Sequence, residues 1–361
     1  MDFETFKENL AKDVKTILDE RTGGNTTVET RTVDKMNETY DAITVKPEDS
    51  IIGVNLNASA LYKEYEDGKS YDSIVNGAAD VASNALDNKP AFDVEAFSDY
   101  DKMKSTLAME VVSAERNAEL LETVPHKNIE DMAVVYRFVL GDSEAGTGTI
   151  LVTNQMIDNY GITADQLHAD AVQNAPEIRP LVIEGMAEVL AKQMGVEDLE
   201  MLGLNIPPEQ EQMFVASVEG NVHGAGVLAY QDFMDKAAER VDGSFFILPS
   251  SIHEILIIPD NGKFDLKSLE NMVKEVNATT VDPADQLTDS VYHYDAKNKI
   301  FELGEKFVSR QAERDADIGD KEEARDSVLG DLKAKKEEAA KQPKKEPKEK
   351  AVNKNKGGEA T

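Results

Sequence analysis

The stretch Phe245 to Asp260, FFILPSSIHEILIIPD, constrains the fold most, because it is the most apolar segment of an otherwise acidic chain. Two apolar runs, Phe245 to Leu248 and Ile255 to Ile258, flank a Pro-Ser-Ser break. The pattern predicts two buried strands joined by a tight turn. The segment reads first as core.

Around it, strands and helices alternate. Phe3, Phe6, Leu10, Val14, Ile17 and Leu18 recur at helical spacing, which predicts an amphipathic helix over 3–20 docked on the sheet that follows. Thr26 to Val33 and Tyr40 to Val45 alternate as a hairpin, Ile51 to Leu56 adds a third strand, and helices follow near Ala58 to Glu66 and Ser70 to Leu86. Ser70 and Asp265 are N-cap candidates. Met132 to Leu140, a Gly-rich loop, Thr149 to Thr153 and a helix over Asn154 to Tyr160 form one block. Met213 to Val218, the loop EGNVHGAG, Val227 to Tyr230 and a helix over Gln231 to Arg240 repeat that order, which suggests a duplicated unit. Val291 to Tyr294 and Ile300 to Leu303 read as a closing hairpin.

So many hairpins among helices predict an α+β fold with largely antiparallel sheet. The expected divisions are an N-terminal α+β region over 1–122, a central and C-terminal α+β region over 123–309, and a charged tail over 310–361. The tail's Lys/Glu-rich, low-complexity composition predicts disorder.

Lys and Arg number 39 against 70 Asp and Glu, a formal charge of -31. A surface of that sign disfavours direct nucleic-acid binding by the body, and attachment to anionic membranes. The absence of cysteine removes disulfides, thiolate catalysis and zinc fingers, and fits a cytoplasmic location. The acidic N-terminus lacks the pattern of an export signal, and no window nears a membrane span.

Ser250, Ser251, His253 and Glu254 bring a hydroxyl, an imidazole and a carboxylate within five residues, the types used in acyl transfer or acid–base work. No nucleophile-elbow pattern surrounds either serine. The alternative is that the serines satisfy turn backbone while His253 sits at a strand edge. Arg137 and Arg179, rare cations in an acidic body, are candidates for holding a carboxylate or phosphate, or for structural ion pairs. The five histidines show no paired spacing, so no metal site is expected, and no cofactor. Gly146-Thr-Gly148 and Gly224-Ala-Gly226 lack phosphate-loop spacing and read as hairpin turns that open strands.

Several segments carry a resemblance. Val124-Pro-His126 followed by Asp131 to Tyr136, Gly148 to Asn154, Leu248-Pro-Ser-Ser-Ile-His-Glu254, Val273 to Asn277 and Leu287 to Tyr292 resemble, in that order, a bacterial family catalogued as domain of unknown function five-six-eight-eight. The resemblance covers roughly 3–303 and implies a fold and a Firmicutes host of gut type, with no catalytic residues to transfer. A fainter likeness joins Val134 to Ala175 and Val222 to Pro259 to YtpQ-like proteins, which also lack an assigned reaction.

The leading expectation is a cytoplasmic, non-catalytic interaction or regulatory protein, linked to mobile elements, with a protein partner. The second is an enzyme or small-ligand binder with a pocket near His253, using Ser251, His253 and Glu254, with Arg137 or Arg179 as an anion clamp. The third is an acidic DNA mimic or anti-defence protein.

Overall fold

Asp2 accepts a hydrogen bond from the Thr5 N–H and so starts α1 (Phe3–Thr22), and Gly23 ends it in a left-handed conformation. Phe6, Leu10, Val14 and Leu18 fall on one face at a spacing of four and are fully buried. Their burial supplies on the order of 1.5–3 kcal/mol each. They pack on Ile43, Val45 and Leu56 of a three-stranded antiparallel sheet made of β1 (Thr26–Lys35), β2 (Glu38–Pro47) and β3 (Val54–Asn57). α2 (Ala58–Glu66) and α3 (Tyr71–Asp87) complete this core through Ala58, Ile74, Val75, Ala78 and Ala82. Ser70 caps α3, its hydroxyl accepting the Ser73 N–H.

The computed structural model describes residues 1–24, 26–35, 37–48, 53–87, 94–143, 146–195, 210–316, 329, 332, 333, 335 and 336. The first two residues of the predicted third strand lie outside this set, as does most of Leu204 to Glu211, which its prolines mark as a linker.

After short helices α4 (Val94–Phe97) and α5 (Tyr100–Met103) comes β4 (Leu107–Ser113), buried along its whole length. α6 (Ala118–Thr123) and β5 (Lys127–Ile129) lead to β6 (Met132–Ser143) and β7 (Gly146–Leu151). These four strands form one antiparallel sheet ordered β4-β6-β5, with β7 on β6. The division expected at residue 122 therefore falls between two strands that pair, β4 and β6.

α7 (Asn154–Tyr160) and α8 (Ala164–Ile178) follow, then β8 (Leu181–Gly185), α9 (Met186–Gln193) and β9 (Phe214–Val218). Next come α10 (Phe233–Val241), β10 (Phe245–Leu248), β11 (Ile255–Pro259), α11 (Leu266–Thr279), β12 (Tyr292–Asp295) and β13 (Ile300–Leu303). The second sheet is ordered β13-β12-β10-β11-β9-β8 and is antiparallel throughout. β10 and β11 are the two apolar runs, paired from Phe245 with Pro259 to Leu248 with Leu256. One core joins the sheets: Leu107, Met109, Val111, Tyr136 and Phe138 from the first, Phe214, Phe245, Ile247, Ile257 and Tyr292 from the second, with Leu167, Ala171 and Ala175 of α8.

Three expectations are corrected. Residues 249–254 are a stitched loop rather than a tight turn: the Ile252 N–H donates to Asp285 O, the Leu287 N–H to Ser250 O, and Ser251 bridges Gln286. The strand expected over Val227 to Tyr230 is replaced by a 3-10 helix, Gly224–Ala229, whose glycines pass close to other backbone, and the duplicated unit fails at that point. The helix expected over Glu184 to Met194 starts at Met186, because Glu184 and Gly185 end β8.

The chain divides into units Met1–Gly304 and Glu305–Thr361. Residues 310–316, expected to belong to the unstructured tail, are helical, in keeping with the helix formers Gln311, Ala312, Glu313 and Arg314. Apart from 329, 332, 333, 335 and 336, the rest of that tail lies outside the described residues.

Candidate functional site

Glu110 sits mid-way along β4 and is 1 % exposed. Strand alternation puts Leu107, Met109 and Val111 into the main core and turns Ala108, Glu110 and Val112 to the other face. Arg137 of β6 lies diagonally across the ladder, since Ala108 pairs with Arg137 and Glu110 with Val135. Arg137 Nε donates to Glu110 Oε2 at 2.6 Å, and Nη1 donates to Thr149 Oγ1 at 3.3 Å. A charge-assisted bond this short and buried ranks among the stronger polar contacts of a protein.

A second guanidinium arrives from α8. That helix, expected from the sequence over Ala164 to Gln173, runs on through Pro176 to Ile178, and Arg179 is its C-cap. Arg179 Nη1 lies 3.8 Å from Glu110 Oε1 and donates to Val222 O at 3.3 Å. The two arginines singled out in the sequence thus converge on one carboxylate that was not.

The loop after β9 brings an imidazole to the same carboxylate. His223 has φ 55° and ψ 35°, a left-handed conformation uncommon for a residue with a side chain. Its Nδ1 lies 3.8 Å from Glu110 Oε1. Neither atom has a hydrogen-bond partner, and both are buried. Burial holds the His223 imidazole below its ordinary value; Glu110 pulls it up, while Arg137, His253 and Arg179 add to the lowering. The pair is therefore a neutral imidazole beside a carboxylate at neutral pH.

The glycines explain how the loop fits. A Cβ on Gly224 would strike Ser217 Oγ and His253 O, and one on Gly226 would strike Met109 O. The motif GNVHGAG is thus a close-approach segment that presses a 3-10 helix onto β4.

The LPSSIHE loop closes the cluster. The rings of His253 and His223 have centroids 5.4 Å apart. His253 Nδ1 accepts the His223 backbone N–H at 3.2 Å, and Nε2 faces Asp285 Oδ1 at 3.3 Å. Ser251 Oγ accepts the His253 N–H at 3.0 Å, and the Ser217 hydroxyl donates to His253 O at 2.8 Å. Ser251 is therefore a turn-stabilising hydroxyl. Among the described residues no hydrogen bond joins the half-buried Glu254 to this cluster. His253 lies in a loop and not on a strand edge.

The remaining histidines are apart. His126 Nδ1 contacts Val124 O, His168 Nδ1 contacts the Tyr136 hydroxyl, and His293 Nε2 contacts Asp260. Among the described residues no group of three or more His, Asp or Glu is arranged to hold a metal ion. No described helix is long and apolar enough to cross a membrane. A cavity of about 100 Å³ shares Ser217 and Asn221 with this region, and a larger one of about 310 Å³ lies at Asn37 and 115–120.

Sequence reasoning missed Glu110, His223 and Asp285. Glu110 had a signal, a lone carboxylate inside the apolar run LAMEVV, where an unpaired charge is expensive. His223 had a weaker one, its place before Gly-Ala-Gly. Asp285 had none.

No curated protein and no solved structure matches the chain. Residues 3–296 match the model of a family of unknown function, DUF5688, and the chain belongs to that family.

Proposed function

We propose that this protein binds a small molecule bearing an anionic group and a hydroxyl or amine at the Glu110–Arg137–Arg179–His223 cluster, with His223 as the group that takes or gives a proton. The observation that carries this reading is the pair Glu110 Oε1 and His223 Nδ1, buried, 3.8 Å apart and both without a hydrogen-bond partner. An unmet buried polar atom costs about 1–3 kcal/mol, so two facing each other are retained against a stability gradient. A ligand oxygen about 2.8 Å from each would satisfy both.

The charges support an anion. Two guanidiniums around one carboxylate and a neutral imidazole leave one excess positive charge in a chain of formal charge -31. Arg137 keeps its side chain 17 % exposed, with Nη2 uncommitted among the described residues. A guanidinium edge of that kind suits a carboxylate or phosphate. This reading is preferred to a non-catalytic interaction role because it uses both orphaned atoms, which an interaction role leaves unexplained. Zero cysteines support a cytoplasmic setting.

Calorimetry with glycolate and glycerol phosphate as probes tests the proposal, since each carries an anionic group and a hydroxyl. Saturable binding is expected, weakened about tenfold in Arg137→Lys, which keeps the charge beside Glu110 but loses a guanidinium nitrogen. Absence of binding by both probes, or binding unaffected by Arg137→Lys and His223→Gln alike, contradicts it.

A further inference from the structure

His253 is held at four points. Its Nδ1 accepts the His223 N–H, Nε2 meets Asp285, its own N–H goes to Ser251 Oγ, and its carbonyl receives the Ser217 hydroxyl. A neutral imidazole whose Nδ1 accepts carries its one proton on Nε2, the nitrogen that lies 3.3 Å from Asp285 Oδ1. Both ring nitrogens are engaged, so His253 has none to offer a ligand. What it does is grip the backbone of His223, whose left-handed conformation aims the second imidazole at Glu110.

We propose that His253 is a positioning residue: its neutral ring pins His223 in the orientation that faces Glu110, and a proton on His253 Nδ1 opens the pin. Protonation sets two N–H groups against each other and abolishes the hydrogen bond. The charged groups around this pair are Asp285, 3.3 Å from His253 Nε2, and Glu110 with its partners Arg137 and Arg179 at the His223 ring. Glu254 is the next residue along the chain. The inference rests on the reading of His223 as the proton-transfer group and adds that acid disarms the site.

The test uses the full chain labelled with 15N at its five histidines, without ligand. The backbone amide of His223, assigned by its loss in His223→Gln, should move together with the His253 ring signals as acid is added. His253→Asn offers an amide oxygen near the Nδ1 position and nothing to protonate. It should keep the His223 amide at its neutral-pH position and flatten the pH response. His253→Ala should displace it at every pH. A His223 amide unmoved in His253→Ala, or a His253→Asn protein that follows the wild-type pH curve, overturns the proposal. If His253→Ala does not fold, Asp285→Asn decides: removing the carboxylate should carry the curve to lower pH, and an unchanged curve overturns it. These signals need no ligand, so failure of the calorimetric test leaves them readable on their own.

Discussion

Glu110→Ala is the perturbation whose size follows most directly from the structure. The carboxylate is 1 % exposed and faces Arg137 at 2.6 Å and Arg179 at 3.8 Å, whose side chains are 17 % and 9 % exposed. Deleting it leaves the two guanidiniums with Thr149 Oγ1 and Val222 O as their hydrogen-bond acceptors among the described residues. Removing one member of a buried ion pair costs about 3–5 kcal/mol, because the stranded charge keeps its desolvation penalty. Arg137 retains some access to water, so the lower end, about 3 kcal/mol, is expected. Urea unfolding reads this as a fall in midpoint of about 1 M for an m-value near 3 kcal/mol/M. Glu110→Ala with Arg137→Met should cost less than the sum of the two single changes, since the second removes a charge the first strands. A midpoint shift below about 0.3 M at unchanged m would refute the argument that this cluster is a desolvated ion pair.

Gly224→Ala drives a Cβ into Ser217 Oγ and His253 O, and should destabilise the fold by about 1–3 kcal/mol while displacing the His253 amide resonance; an unchanged melting temperature would show that the loop does not approach so closely. Asp19 is held down to about 2 by hydrogen bonds from the Lys15 ammonium, the Thr26 hydroxyl and the Thr26 N–H. Because the folded value is depressed, its contribution is present above the unfolded value near 3.8 and is lost as the pH falls toward about 2. The carboxyl 13C signal of Asp19 should titrate there, and Asp19→Asn should flatten the stability curve in that window. His168 is likewise held below its ordinary value, chiefly by burial, so folding opposes its protonation; its carbon signals should titrate below about 6.5, and lower stability should accompany that proton.

The elements legible in the sequence are those with a strong local period. α1, α2, α7 and the β1–β2 hairpin stand within a few residues of their predicted bounds, because each carries its own alternation or cap. β10 and β11 were legible as apolar runs, but the loop between them was not. Its geometry is set by 285–287, more than thirty residues downstream, which no local pattern encodes. β8 escaped for a related reason: five residues between Pro180 and Met186 have too little period to separate strand from helix. At the site, the residue types were readable and the partnerships were not. Ser251 and His253 stood out because they are adjacent, yet each is spent on holding the loop. The arginines were readable as rare cations, while their shared carboxylate stands on β4, 27 residues before Arg137 in the chain, and only strand pairing brings it near.

The most direct measurement is the ring titration of His223 by 13C or 15N resonance, in the wild type and in Glu110→Gln. A neutral imidazole buried against a carboxylate and two guanidiniums should titrate below about 6.5 and fall further in Glu110→Gln, where the one group favouring its proton is gone. A His223 ring that titrates above about 6.5, or that ignores the loss of the Glu110 charge, would mean that the two side chains do not share a buried site.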